Sequence, residues 1–269
     1  MNPRSALLYD REAVSQTYFF PHPGAPLPPP SKGGGPVALA LPDGTQIAAY
    51  RHGPLDAAVT LLYLHGNGET ISDQLDLWPA WARAAGAGVL FVDYPGYGAS
   101  GGRPCLTSCR QAAAAALAYL AREEGRVLLV GRSVGSIFAL DAAAASPQHA
   151  AGLLLESGVA DLAQRLELRW SAIAAGDPTL DRDQLLAEVR RDFDHRAKLR
   201  RLGCPVTVLH CRNDSLIPSW HAERLAGWTG ENLLQLELFP GGDHNTVHLV
   251  NGAAYQAALG RLVRAVGRG

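Results

Sequence analysis

The sequence predicts a single α/β domain built on a mostly parallel sheet of about eight strands, with helices on both faces. Three observations lead there. From residue 59 onward, short unbroken apolar runs alternate with helix-length segments, the pattern left by strands buried on both faces and joined by crossover helices. One such run, RVLLV at 126–130, leads through GRSVG at 131–135 straight into a helix-forming stretch. Finally, 269 residues that are 47% hydrophobic and 18% charged suffice for one large core.

The elements follow in order. The first 35 residues end in PHPGAPLPPPSKGGGP, too rich in Pro and Gly for a helix or a central strand, and read as an N-terminal arm on a main domain of residues 36–269. VALAL and TQIAAYRHG, separated by PDG, read as a hairpin of antiparallel edge strands. Then come VTLLYLHG, a helix near 72–86, GVLFVDYPG, a helix near 107–122, RVLLV, and a helix that Pro147 stops after Ser146. AGLLLES precedes an insertion over 158–203, after which CPVTVLHCRND, a helix near 219–228, NLLQLELFPGGDH and a terminal helix to about 265 complete the chain. In the insertion, Leu162, Leu166, Trp170 and Ile173, then Leu185, Leu186, Val189 and Phe193, fall at helical spacing on two or three amphipathic helices. A connection of this length exceeds what packing requires and reads as a small helical cap; the alternative is an ordinary solvated crossover.

Composition narrows the function. With 24 basic residues against 25 acidic, and only two lysines, no global field recruits nucleic acid or an anionic membrane surface. Arg4, Asp10, Arg11 and Glu12 interrupt the first thirty residues, and no apolar stretch reaches membrane-spanning length, so the expected compartment is the cytoplasm. Four cysteines are too few for a disulfide scaffold. Cys105 and Cys109 share a helix face, but without a Cys-x-x-Cys or paired-His motif no metal or other cofactor is expected.

The chemistry centres on Ser133. Glycines two residues before and after it keep a tight strand-to-helix turn free of side-chain collisions, and the bend lifts the hydroxyl clear of the sheet. A serine hydroxyl is a poor nucleophile at neutral pH and needs a histidine base oriented by an acid. In sheets of this type both must lie on loops at the carboxyl ends of strands. His244, on the loop after the last strand, is the candidate base; His248 is one turn into the following helix, and His210 lies inside a strand. Asp214 ends the strand VTVLH and is the candidate acid, with Glu156 as runner-up and Asp243 read as a turn residue. The segment HGNGE at 65–69 offers an oxyanion site through the main-chain N–H of Asn67, paired with that of Val134. His65 is assigned a structural role in holding that loop.

HGN, DYPGYGASGG at 93–102, GRSVG, the strand ending at Asp214 with IP shortly after, and GGDHN around His244 together resemble the α/β-hydrolase fold superfamily over about residues 37–265. More narrowly, they are similar to the branch of serine-aminopeptidase-like hydrolases and protein depalmitoylases. The resemblance implies a Ser133, Asp214, His244 triad that hydrolyses an ester, thioester or amide without a metal. Two departures stand out: Cys211 follows His210 where the pattern commonly has glycine, and the first cysteine is Cys105, so the N-terminal cysteine cluster of lipid-anchored relatives is missing. Serine at the turn argues against the dehalogenase and epoxide-hydrolase relatives, which use aspartate there. The expected activity is hydrolysis of a small carboxylic ester or thioester through an acyl-enzyme. Amide hydrolysis, acyl transfer with the same triad, and a non-catalytic binding protein are the alternatives.

Overall fold

The computed structural model describes residues 7–31, 33–54, 56–122 and 125–268; Arg4 and Lys32 lie outside them. Eight strands form one sheet: β1 (Gly34–Ala40), β2 (Gln46–His52), β3 (Val59–Leu64), β4 (Gly88–Val92), β5 (Arg126–Arg132), β6 (Ala150–Glu156), β7 (Val206–Cys211) and β8 (Leu233–Phe239), in the spatial order β1-β2-β4-β3-β5-β6-β7-β8. The hairpin β1–β2 is antiparallel and β2 pairs antiparallel with β4, while β3 to β8 run parallel. The chain leaves β3 toward β4 on one side and returns to β5 on the other. The carboxyl ends of β3 and β5 therefore flank a point where the winding reverses, the place where open sheets of this kind leave a crevice.

Strands β3 to β7 alternate their side chains between two cores. Leu62, Leu64, Leu129 and Leu155 face α4 (Leu106–Leu120) and α5 (Gly135–Ala145), against Ile137 and Phe138. Leu61, Tyr63, Leu128 and Val130 face the opposite helices, against Trp78, Tyr255 and Leu259. Burial on both faces is why these strands read as continuous apolar runs instead of alternating ones.

Three helical expectations differ from what forms. The segment near 72–86 divides into α2 (Ile71–Gln74) and α3 (Trp78–Ala84), because Pro79 cannot donate a hydrogen bond four residues back and instead sits in the first turn of the second helix. The insertion forms four helices where two or three were expected: α6 (Leu162–Glu167), α7 (Trp170–Gly176), α8 (Arg182–Asp192) and α9 (His195–Arg201). Asp161, Asp181 and Asp194 each accept a hydrogen bond from the N–H three residues on, and each starts a new helix. The chain then adds α10 (Trp220–Thr229), a single turn α11 (Val247–Val250) and α12 (Gly252–Arg268).

The N-terminal segment also holds a 3-10 turn at Leu8–Asp10 and a helix, α1 (Glu12–Tyr18); the Pro/Gly-rich composition that argues against helix begins only after them. Tyr9, Val14 and Phe19 are buried in the main core. Polar contacts reach the insertion: Leu8 N–H to Glu188, Tyr9 hydroxyl to Asp192 at 2.9 Å, and Arg11 to Asp177 at 2.5 Å.

The turn after β5 depends on close backbone approach. A Cβ on Gly131 would lie 2.6 Å from the carbonyl oxygen of Gly135 and the Cα of Ser136; one on Gly135 would overlap the carbonyl of Leu64 and lie 2.6 Å from that of His65. Gly135→Ala is expected to cost at least about 3 kcal/mol, since rigid backbone atoms cannot yield as side chains do. Urea unfolding of the variant checks this.

Candidate active site

Ser133 follows β5 with φ +53°, a left-handed backbone that costs a serine on the order of 1–3 kcal/mol. Its surroundings enforce that geometry: the Ser133 N–H donates to the Glu156 carbonyl at 2.9 Å, and the Ser136 hydroxyl donates to the Ser133 carbonyl at 2.6 Å. Ser136 Oγ in turn accepts from Val159 N–H at 2.9 Å, joining the turn to the start of the insertion.

Ser133, His244 and Asp214 come from three separate loops and meet in one hydrogen-bonded line. Ser133 Oγ lies 2.9 Å from His244 Nε2, and His244 Nδ1 lies 2.7 Å from Asp214 Oδ2. Beside a carboxylate Nδ1 carries the proton, so Nε2 is left to accept from the serine hydroxyl. Burial raises the Asp214 carboxyl, but the His244 hydrogen bond and charge and the Ile217 N–H outweigh it, and the net shift is downward. Oδ1 accepts from the N–H groups of Leu216 and Ile217 at 3.0 and 2.7 Å. His210 backs the same carboxylate at 3.3 Å while donating to the Ile217 carbonyl at 2.7 Å; burial lowers its pKa.

The other candidates are occupied elsewhere. Glu156 accepts from Arg132 Nε at 3.1 Å and from the Tyr255 hydroxyl at 2.7 Å, with His248 at 3.8 Å. Asp243 caps its own turn through Asn245 and Thr246. His65 is buried, with Nδ1 donating to the Gly66 carbonyl at 2.8 Å and Nε2 facing Asp93 at 3.6 Å. Cys211 donates to the Gly241 carbonyl at 3.2 Å, a contact glycine cannot make. Cys105 caps α4 and Cys109 is buried within it.

Asn67 and Val134 line the same cavity of about 150 Å³ as Ser133 and His244. Among the described residues, neither main-chain N–H has a hydrogen-bond partner. The Asn67 side chain is engaged at both ends: Oδ1 accepts from Phe20 N–H at 2.9 Å and the Tyr97 hydroxyl at 2.6 Å, and Nδ2 donates to the Tyr18 carbonyl at 2.5 Å. The N-terminal segment thus pins the loop after β3 and walls the cavity through Tyr18 and Phe20. A larger cleft of about 590 Å³, between the N-terminal helix and Arg103–Cys105, contains none of these residues.

Sequence reasoning passes over Arg132, although it lies inside GRSVG. Its buried guanidinium pairs with Glu69 and Glu156 and donates to the His244 carbonyl at 2.9 Å. Glu69 accepts the Gly66 N–H at 2.7 Å. One cation therefore fixes the loop after β3, the end of β6 and the histidine loop around the turn it belongs to. Burial would raise the Glu156 carboxyl, but His248 and Arg132 draw it below its usual range. The available signal is register: Arg132 stands opposite Glu156 across the β5–β6 pair.

Among known proteins, a profile described as the Alpha/beta hydrolase family matches residues 61–258. The chain belongs to that family. It is 24% identical over 197 residues to protein bem46 of Schizosaccharomyces pombe, a match covering 72% of this chain and 64% of the relative, so it spans less than two thirds of that protein. It is 25% identical over 232 residues to alpha/beta hydrolase domain-containing protein WAV2 of Arabidopsis thaliana, covering 81% of this chain and 75% of WAV2. The structure of the Pyrococcus furiosus esterase Pf2001 superposes with a TM-score of 0.68 at 14% identity, over 92% of this chain and 97% of that one, a likeness of fold. Among the described residues no helix is long and apolar enough to cross a membrane.

Proposed function

We propose that the protein is a serine hydrolase that cleaves a carboxylic ester or thioester through an acyl-enzyme on Ser133. The observation that carries this reading is the unbroken line from Asp214 through His244 to Ser133 Oγ, ending in a cavity beside two unpartnered N–H groups. His244 Nε2 takes the serine proton as Oγ bonds to the acyl carbon, and the displaced carbonyl electron pair collects on the oxygen. The N–H groups of Asn67 and Val134 stabilise that oxyanion, one such donor contributing about 10²–10³ in rate. The imidazolium returns the proton to the departing alcohol or thiol as the tetrahedral intermediate collapses. Water then repeats the sequence to release the acid. Asp214 holds the imidazole in the required tautomer.

Amide hydrolysis or transfer to an acceptor other than water would use the same groups, and a place in the serine-aminopeptidase-like and depalmitoylase branch accords with either. The cap reading of residues 158–203 is supported by Arg165 and Arg169, which the insertion contributes to the cavity wall. A cytoplasmic setting is supported by four unpaired cysteines.

The test is turnover of p-nitrophenyl esters from acetyl to palmitoyl, with matched thioesters and anilides. Saturable ester or thioester hydrolysis is expected, falling in kcat by about 10⁴-fold in Asp214→Asn through loss of the correct tautomer. A folded protein that turns over none of them defeats the reading and leaves a binding role on this fold.

A further inference from the structure

The wall of the cavity beside Ser133 includes an arginine that the surrounding chain does not pair. Arg165, on α6, is 7% exposed and lines the cavity together with Ser133 and His244. Among the described residues its guanidinium makes no hydrogen bond and no ion pair. Arg169 lines the same cavity one turn later, its guanidinium over the Tyr18 ring at 5.7 Å and within 3.5 Å of the Arg165 carbonyl. Nearby carboxylates do not serve as counter-ions: Asp214 is bound by His244 and two N–H groups, and Asp161 caps α6 and faces Arg224 at 3.9 Å.

A guanidinium offers five donors and stays protonated in proteins, so it cannot escape burial by losing its charge. The Arg165 side chain is packed into the protein while its guanidinium opens only on the cavity, so the cation is partly desolvated without a pairing carboxylate, which is costly. Burial does pull the Arg165 pKa downward, as expected of a desolvated cation lacking a close partner. His221, on the neighbouring helix α10, is pushed down to about 3 by burial and by Arg165, so it remains neutral. A planar oxyanion accepting two parallel N–H bonds would satisfy the guanidinium. The mouth of the cavity differs in character: Phe20 and Leu216, 55% and 46% exposed, are apolar wall residues.

We propose that Arg165 and Arg169 form an anion subsite, so that the substrate is an acyl ester or thioester carrying a carboxylate or phosphate on its acyl or leaving group. This rests on the serine-hydrolase reading above.

The test compares substrates matched except for charge. On the acyl side, p-nitrophenyl hemiglutarate is set against its methyl ester; on the leaving-group side, phenyl butyrates bear a meta-carboxylate, a meta-phosphate or a meta-carboxamide. In at least one pair the anionic substrate is expected to have about ten- to hundredfold higher kcat/KM, the worth of charge-assisted hydrogen bonds. The preferred pair identifies the side and the oxyanion. In Arg165→Gln that ratio is expected to collapse toward unity, whereas Arg165→Lys keeps part of it and Arg169→Gln lowers it less. Each ratio is internal to one variant, so partial misfolding affects both substrates alike. Ratios at or below unity in every pair of the wild-type protein, with the neutral esters still cleaved, overturn the anion subsite and leave the hydrolase reading intact. If no ester is cleaved at all, the hydrolase reading fails and binding decides the subsite. Glutarate or inorganic phosphate should then raise the wild-type Tm and not that of Arg165→Gln; equal shifts, or none, overturn it.

Discussion

Replacing Ser133 by alanine is expected to lower kcat for ester hydrolysis by about 10⁶-fold while leaving the fold unchanged. Among the described residues the hydroxyl hydrogen-bonds to His244 Nε2 alone, and the backbone bonds that hold the turn use the main-chain N–H and carbonyl of residue 133, which alanine keeps. Alanine bears the same left-handed backbone at much the same cost, so unfolding free energy should change by less than about 1 kcal/mol. The residual rate should still exceed that in water by about 10³–10⁴, because the N–H groups of Asn67 and Val134 and the cavity remain. Steady-state kinetics beside a urea titration separates these outcomes; a variant of near wild-type rate would mean that another group is the nucleophile.

Replacing Arg132 by methionine is expected to destabilise the protein by about 3–5 kcal/mol, the penalty for leaving buried carboxylates without their cation. Glu156 would be left with only the Tyr255 hydroxyl and His248, part-buried Glu69 with only the Gly66 N–H, and the His244 carbonyl would lose its donor. Activity should fall further than stability accounts for, since the same guanidinium holds the histidine loop and the loop after β3. Lysine at 132 is expected to restore little, because an ammonium cannot present the guanidinium's planar fork to three acceptors. Acid exposes the same dependence. Glu156 is held below its usual pKa, so its contribution is fully present above the unfolded-state carboxyl pKa and is lost as pH falls through the lower folded value. Denaturant midpoints measured from neutral pH into that range should fall in the wild-type protein. A folded, fully active Arg132→Met of unchanged stability would contradict the positioning role.

The parallel strands were legible because burial on both faces leaves short β-branched and leucine-rich apolar runs, as in VTLLYL and RVLLV, which length and flanking turn residues separate from the longer, alanine-rich buried helix α5. Residues at strand ends were legible for a related reason. Strand direction puts Ser133, Asp214 and His244 at the same edge, so chain order alone brings candidate base, acid and nucleophile within reach of each other. What stayed hidden depends on contacts between segments distant in sequence. Arg132 is 24 residues from Glu156 and 63 from Glu69, and only the register of neighbouring strands and the turn after β3 reveal why a cation is buried there. The helix at Glu12–Tyr18 has two turns at most, too few to announce themselves; burial of Val14 and Phe19 against the core makes it stable. Helical spacing in the insertion is readable, yet which face meets the cavity is decided by packing, so Arg165 looks in sequence like any solvated arginine.

The central claim is that Ser133 is a nucleophile activated by His244, and covalent capture tests it most directly. The native protein is treated with a fluorophosphonate and the adduct is mapped by peptide mass. One phosphonylated residue is predicted, Ser133, with labelling abolished in Ser133→Ala and strongly slowed in His244→Ala. An unmodified folded protein, or an adduct on another residue while Ser133 stays free, would contradict it.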